Sequence, residues 1–365
     1  MKSVKNILLG LFTGISVVCA VLMVLVGYSD RLNPVAYPLL SWVGMTLPAF
    51  IIINLALLFF WVIVKWRRAW IPVVALIVCY GPIRTYIPLH SRVNPPEGSI
   101  KVISYNVCGY MGNKAYTQQQ CTDSIVNFLR RERADIVCLQ EDQNNGQDAF
   151  GRLKQLFAYN DTMHISREGA GGAYNTLGIH TRYPIVRHER IDYPSTSNGS
   201  AAFFLLIDGD TVVVVNNHLE SFHLSPDERQ GYKDVLKGNI GRDSAQAETK
   251  HLIRKVSEAN VKRAPQAEAV HQYVSAQQAI GHPVIVCGDF NDTPISYARR
   301  TIARGLKDCY VESGSGLGIS FNQGGFFFRI DQMMCSNHFT PYNCEVVNTI
   351  DASDHYPVVC WLKKD

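Results

Sequence analysis

Two kinds of hydrophobic pattern divide the chain. Over the first ninety or so positions, apolar residues run almost without interruption. Residues 7–27 contain no charge, and residues 39–64 form a second uncharged run that includes Pro48. A helix needs about 20 apolar residues to cross a bilayer core, so both runs predict membrane-spanning helices. A third, weaker run at residues 69–89 is interrupted by Pro72, Pro82, Arg84 and Pro88. With it, residues 1–90 are expected to form an anchor of about three helices, at 7–27, 39–64 and 69–89. Lys2 and Lys5 ahead of the first run would also suit a signal peptide. Its apolar core is longer than signal peptides use, and no small-x-small cleavage site follows.

From residue 100 the pattern changes to short, β-branched apolar runs that end in polar groups. Residues 100–107, 135–141, 175–185, 211–216, 284–289, 329–334 and 358–362 read as strands. Residues 202–207 and 211–216 predict a hairpin around Asp208-Gly209-Asp210. Residues 117–133 predict a helix, with Ile125, Val126, Phe128 and Leu129 as its apolar stripe and Arg130, Arg131 and Arg133 favourably placed near its C-terminal end. Strand, helix and strand in succession indicate a layered α/β domain over residues 100–365. Residues 91–99, with Asn94-Pro95-Pro96 and Gly98, form the linker. The long polar interval 221–280 reads as mostly helical, with a start signal at Ser225-Pro226-Asp227-Glu228. Part of it serves as a crossover helix. The surplus, 226–243, reads as a lid, a membrane-facing arm or plain surface elaboration.

Charge sharpens this division. The chain carries +4 overall, but residues 1–98 hold eight Lys/Arg against two Asp/Glu, and the remainder is net −2. The C-terminal domain thus lacks the basic excess that nucleic-acid binding draws on. Lys2 and Lys5, and Lys65, Arg67 and Arg68, flank the first two apolar runs, whereas the loop between those runs holds only Asp30 and Arg31. The positive-inside rule then keeps the N-terminus and residues 65–68 in the cytoplasm. Three spans would put the domain on the extracytoplasmic side of the cytoplasmic membrane. A third segment that only lies on the surface would leave the domain in the cytoplasm. Cys138 and Cys287 sit inside apolar runs and read as small buried hydrophobes. No Cys/His spacing suggests structural zinc.

The candidate chemistry sits where the apolar runs end. Asn106 closes the first strand and Glu141 the second. His218 follows Asn217 at the end of the 211–216 run, and Gly288-Asp289-Phe290-Asn291 ends the most apolar run of all. Asp331 lies on the 329–334 strand, and Ser353-Asp354-His355 precedes the last strand. Asp289 and Asn291 are two apart and share a face of an extended chain. Carboxylates and amides are hard oxygen donors of the kind Mg²⁺ prefers. A His–Asp pair can hold an imidazole in one orientation. His180 and Arg182 read as solvent-facing.

Taken in order, Asn106, Gln140-Glu141, Asn217-His218, Gly288-Asp289-Phe290-Asn291, Arg329-Ile330-Asp331 and Ser353-Asp354-His355 resemble the motifs of the endonuclease/exonuclease/phosphatase superfamily. That group includes pancreatic-type deoxyribonucleases, abasic-site endonucleases, neutral sphingomyelinases and inositol-polyphosphate 5-phosphatases. The resemblance covers residues 98–363. It implies a four-layer α/β sandwich, in which two mixed sheets pack together between outer helices and the site lies at one edge. It also implies roles. Glu141 would be the main Mg²⁺ ligand, with Asn106 beside it and Asp354 as a further metal-side carboxylate; Mn²⁺ could replace the ion. Asp289 would orient or deprotonate the attacking water, and Asn291 would bind the same water or phosphate. His355, its tautomer fixed by Asp331, would contact the scissile phosphate. His218 would stabilise the phosphorane or assist the leaving group. The expected protein is a membrane-anchored phosphoesterase acting on a phosphodiester or phosphomonoester, with a lipid headgroup or envelope phosphoester as the first candidate. A membrane-anchored nuclease is the alternative, and a catalytically dead binding module is a third.

Overall fold

The structure, a computed structural model, describes residues 2–113, 115–143, 149–168, 173–195, 197–222, 225–323 and 326–365. The uncharged runs form α1 (Lys2–Gly27) and α2 (Leu47–Lys65). Their outward side chains are apolar and exposed, Ile7, Leu11, Ile52 and Ile63 among them. Inside the pair, the Trp61 indole N–H donates to Ser16 Oγ at 2.8 Å. Two helices among the described residues are long and apolar enough to cross a membrane, which is consistent with an anchor.

The expectation of about three spanning helices is corrected at the third. Residues 69–89 form two short helices, α3 (Trp70–Val78) and α4 (Tyr80–Tyr86), which meet at Cys79. Pro82 has no N–H to offer the carbonyl of Val78, and the Tyr28 hydroxyl donates to that carbonyl instead, at 2.6 Å. Arg68 Nη1 donates to the Leu9 carbonyl at 2.6 Å. The broken segment therefore runs alongside α1, from near Leu9 to near Tyr28, without being a single long helix.

The remaining elements are β1 (Ile100–Asn106), α5 (Gln118–Glu132), β2 (Ile136–Gln140), α6 (Ala149–Leu156), β3 (Tyr159–Glu168), β4 (Ala173–Thr181), β5 (Ile185–Ile191), β6 (Gly199–Ile207), β7 (Asp210–His218), α7 (Pro226–Lys237), α8 (Arg242–Ala279), β8 (Val284–Asp289), α9 (Tyr297–Ile302), β9 (Lys307–Asp308), α10 (Cys309–Ser313), β10 (Phe321–Gln323), β11 (Phe326–Phe328), β12 (Asp331–Cys335), β13 (Phe339–Val346) and β14 (Val358–Lys364). One six-stranded sheet runs β13-β14-β1-β2-β4-β3 and the other β5-β6-β7-β8-β12-β9. Each has one parallel pair, β1 with β2 and β7 with β8. The first pair is crossed over by α5 and the second by α7 and α8.

The two sheets face each other across a core that includes Val102, Ile136, Ile179, Phe203, Val214 and Ile285. The outer face of the first sheet packs through Ile103, Tyr105 and Val137 onto Phe128 and Leu153. The outer face of the second packs through Phe204, Val213 and Val286 onto Val270 and Ile302. Central strands are buried on both faces, so they read as continuous apolar runs rather than as an alternation. This is the four-layer sandwich that the motifs implied.

The interval 221–280 becomes α7 and the 38-residue α8, with residues 223–224 outside the described residues. Gly231 lies within α7 and does not break it. The solvent-facing reading of His180 is wrong: β4 is an interior strand, His180 is fully buried, and its Nδ1 lies 2.7 Å from Asn160 Oδ1. Arg182 keeps an exposed side chain, paired with Asp135 at 2.8 Å.

The N-terminal turn of α7 carries a capping box formed by Ser225 and Glu228. The His251 side chain, the Lys255 ammonium and the Ser225 N–H bind the Glu228 carboxylate and push its pKa down to about 2. That lies below its value in an unfolded chain, so its contribution to docking α7 on α8 is complete above about pH 5 and fades as the pH falls towards 2. Glu228→Gln should speed proteolysis of residues 226–237 at pH 7, and the difference from wild type should shrink as acid protonates Glu228. Equal cleavage rates at pH 7 would remove the carboxylate from this account.

Candidate functional site

Strand register brings the polar strand ends together. Asn106 pairs with Gln140 across β1 and β2. His218 pairs with Asp289 across β7 and β8, and Asp289 with Asp331 across β8 and β12. Three local backbone features turn the side chains into one cleft. Glu141 takes a left-handed φ of 51° just past β2, which swings its carboxylate away from the direction of buried Gln140. Asn291 is also left-handed, at φ 52°, and its N–H donates to Asp289 Oδ1 at 2.8 Å. The chain has therefore turned already, and Asp289 and Asn291 share the site through this turn rather than through an extended strand. Gly288 has φ 129°, and a Cβ there would lie 2.0 Å from the Asn217 carbonyl oxygen, so only glycine lets β8 approach β7 so closely at this edge.

Asp289 Oδ2 is the meeting point. Asn106 Nδ2 donates to it at 3.1 Å and Asn291 Nδ2 at 3.2 Å. The Nε2 atoms of His218 and His355 each lie 3.7 Å from it. His218 Nε2 is also 3.7 Å from Glu141 Oε1, which accepts from Asn106 Nδ2 at 3.1 Å. His355 Nδ1 bonds to Asp331 Oδ2 at 2.8 Å, and that bond leaves Nε2 facing the cleft. Ser353 Oγ donates to the Asn106 carbonyl at 2.7 Å, and the His355 N–H reaches the same hydroxyl at 3.3 Å. The structure thus gathers Asn106, Glu141, His218, Asp289, Asn291, Asp331 and His355. Asp354 stands beside His355, partly exposed, outside this hydrogen-bonded set.

Burial raises the Asp289 pKa to about 6, with Asp331 adding to the rise, while His355, His218 and the Asn291 N–H oppose it. For His355, burial works to lower the pKa, but Asp331 and then Asp289 outweigh it and hold the imidazolium well above its ordinary range. At neutral pH the site therefore offers an ionised but basic carboxylate beside a cationic imidazole.

The donor set suits a hard divalent cation. Asp289 and Asp331 are paired with imidazoles, not with Lys or Arg, and Asp331 Oδ1 is buried without a hydrogen-bond partner. Ligand atoms of Asp289, Asp331 and His355 lie within 4.8 Å of one another. The short Asp331–His355 hydrogen bond makes that trio an oriented pair plus a carboxylate. Glu141 adds a further carboxylate at the cleft, and the Asn106 amide turns its Nδ2 towards Glu141 and Asp289 while its Oδ1 accepts from the Cys108 N–H at 3.0 Å.

Further residues support the site, and of these Asn175 and Arg263 carry no motif of their own. Asn175 Nδ2 lies 3.2 Å from His218 Nδ1 and donates to the Ser197 carbonyl at 2.6 Å. Its place at the start of an apolar run is the one hint. Gln140 Nε2 donates across the sandwich to Asn216 Oδ1 at 2.7 Å. Arg263, fully buried on α8, joins two site loops. Its Nη1 meets Asp292 Oδ2 at 2.8 Å and its Nε donates to the Glu220 carbonyl at 2.9 Å.

Comparison with known proteins shows the family and the fold. The Endonuclease/Exonuclease/phosphatase family profile matches residues 103–355, so the chain belongs to that family, whose members are metal-dependent hydrolases acting on phosphate ester bonds. Residues 9–86 match a domain of unknown function, DUF8431. No curated protein matches the chain. Among solved structures, the human Nocturnin catalytic domain with bound sulfate anion is similar at 16% identity, a TM-score of 0.54 and coverage of 76% of this chain and 99% of that one. A Bacteroides vulgatus endonuclease/exonuclease/phosphatase is similar at 17% identity and a TM-score of 0.52, covering 74% and 100%. D. rerio TDP2 complexed with single strand DNA product is similar at 15% identity and a TM-score of 0.51, covering 73% and 100%. These likenesses establish the fold.

Removing one partner of the Arg263–Asp292 pair leaves a buried charge uncompensated. Arg263→Leu should cost about 3–5 kcal/mol in chemical unfolding of the detergent-solubilised protein. A loss under about 1 kcal/mol would mean that the pair does not hold the loops.

Proposed function

We propose that this chain is a membrane-anchored, Mg²⁺-dependent phosphoesterase that hydrolyses a phosphodiester or phosphomonoester carried at the bilayer surface. The observation that carries this reading is the convergence of two imidazoles and two amides on Asp289 Oδ2, with the Asp331–His355 pair beside it. Glu141 and Asn106 would hold Mg²⁺, or Mn²⁺ in its place. When bound, the ion supplies charge neutralisation on nonbridging phosphate oxygens.

The chain's own groups do the rest. Asp289, steadied by the amides of Asn106 and Asn291, orients the attacking water and accepts its proton. A pKa of about 6 suits a base working near neutrality. Asn291 holds the same water or phosphate in place. His355 presents Nε2–H to a phosphate oxygen, and Asp331 fixes the ring through Nδ1. His218, on the Glu141 side, stabilises the phosphorane or the departing oxygen. A metal-side role for Asp354 has the least support, since it lies outside the hydrogen-bonded set.

Two features favour a membrane-borne substrate over nucleic acid. The domain beyond residue 98 is net −2, and its site loops sit against the apolar N-terminal helices. Ile295, just past Asp289, is part of the same cluster as Met23 and Leu47. The same contacts support sidedness. Ser41, in the loop between α1 and α2, and Arg84, on α4, both bind the domain. The domain then lies opposite Lys65, Arg67 and Arg68, an arrangement that by the positive-inside rule supports an extracytoplasmic domain. A nuclease is the second reading, favoured by the single strand DNA product in the TDP2 structure.

Asp289→Asn keeps the shape and removes the base, and should lower kcat on a chromogenic phosphodiester by about 10²–10⁴-fold without loss of fold; unchanged turnover would sink the assigned role. Glu141→Gln should raise the Mg²⁺ concentration needed for half-maximal rate. A metal titration superimposable on wild type would remove Glu141 as a ligand.

A further inference from the structure

The N-terminal segment meets the catalytic domain along α8 and α9, where Asn33 bonds to Glu268 and Tyr297 and Asp30 pairs with Arg300, and beside the loops that follow Asp289 and precede Asp331. On the Asp289 side, Ile295 leaves the domain and buries itself with Met23, Val26, Leu47, Ile51 and Ala75. The loop between α1 and α2 closes tightly over it: a Cβ on Gly44 would lie 2.1 Å from the Ile295 carbonyl oxygen. Nearby, the Asn260 amide donates to the carbonyl and hydroxyl oxygens of Ser41, both at 3.1 Å. Asn260 in turn accepts from Arg263 Nη1 at 2.7 Å, the same guanidinium that pairs with Asp292.

On the Asp331 side, the buried Arg329 reaches out of the domain. Its Nη2 donates to the Thr85 carbonyl at 2.5 Å and its Nη1 to the Leu317 carbonyl at 3.0 Å. The guanidinium lies 4.1 Å over the Tyr310 ring. Arg84 pairs with Glu312 at 3.0 Å, and the Gly316 N–H donates to the Pro88 carbonyl at 2.8 Å. The two site loops are themselves joined, because the Phe290 N–H donates to the Ile330 carbonyl at 2.9 Å.

A surface that only tethered the domain could lie anywhere on it. This one grips Arg329, two positions before Asp331, and Ile295, six positions after Asp289 and just beyond the left-handed Asn291, a backbone conformation that the surroundings must hold in place. We propose that the N-terminal helices are a positioning part of the active site, and that Ile295 and Arg329 are the residues through which they set Asp289 against the Asp331–His355 pair. This inference rests on the phosphoesterase reading of the site. Neither residue touches the reacting groups. A displacement of about 1 Å at such groups can cost roughly 10²-fold in rate.

The test uses the full chain in detergent with Mg²⁺ and bis(4-nitrophenyl) phosphate, a soluble diester that needs no membrane. Ile295→Ala and Arg329→Lys are compared with Val274→Ala, a truncation in the domain core where α8 covers the second sheet. The first two should lower kcat by about tenfold or more with KM within about twofold, whereas Val274→Ala lowers the melting temperature and leaves kcat near wild type. Hydrogen exchange reads the same claim without turnover. Amides at 288–292 and 329–332 should exchange faster in Ile295→Ala and Arg329→Lys and not in the control. An active wild type with kcat and exchange unchanged in both variants would overturn the positioning role alone. A kcat loss in Val274→Ala matching theirs would overturn it too, by reducing the effect to general destabilisation. A wild type inert on every phosphate ester would overturn the phosphoesterase reading, and the positioning role with it.

Discussion

The hydrogen bond from the Asn106 amide to the Asp289 carboxylate, 3.1 Å long, joins the two sheets at the edge where the candidate site lies. Each sheet holds only part of the site. The first supplies Asn106 and Glu141, and the second supplies His218, Asp289 and Asp331. These groups meet because the parallel pairs, β1 with β2 and β7 with β8, end at the same edge of the sandwich. A one-residue slip in either register would turn the functional side chains to the opposite faces. The core between the sheets and the tight Gly288–Asn217 approach therefore serve the site as much as they serve stability.

Burial sets the acid–base character of this arrangement. A carboxylate in water is a weak base. Asp289, desolvated and faced by Asp331, is a stronger one, while His355 is held as an imidazolium by the same two carboxylates. Like charges and opposite charges packed at one edge push acid and base apart. Such a cluster is costly to fold, which accounts for the amount of uncharged support around it: Asn106, Asn175, Asn216, Asn291, Ser320 and Ser353 hold side chains and backbone without adding charge.

Much of this was legible in the sequence, for a physical reason. Interior strands such as β1, β2, β7 and β8 are buried on both faces and stand out as apolar runs, and a polar residue ending such a run is conspicuous. Of the strands that escaped notice, β3, β5, β9 and β13 are the four edges of the two large sheets, and the short β10 and β11 pair only with each other. An edge strand faces solvent on one side and carries charges that discourage pairing with other chains, as Arg187, His188, Glu189 and Arg190 do on β5, so its apolar alternation is faint. His180 was misjudged because burial in an interior strand depends on which strands pair beside it, and local pattern does not give that. The third apolar segment failed as a long helix because Pro82 removed a backbone donor. The pairing of Arg263 with Asp292 and the grip of Arg329 on Thr85 join residues far apart in the chain, and no spacing rule reveals such contacts.

The central claim is that this cleft hydrolyses a phosphate ester at a membrane. The most direct test is product release by the full chain in lipid nanodiscs, with Mg²⁺ or with chelator, offered phospholipid headgroups and single-stranded and duplex DNA in parallel. The account predicts metal-dependent release from the lipid with both DNAs untouched. Cleavage of DNA alone, or lipid release that survives chelation, would contradict it.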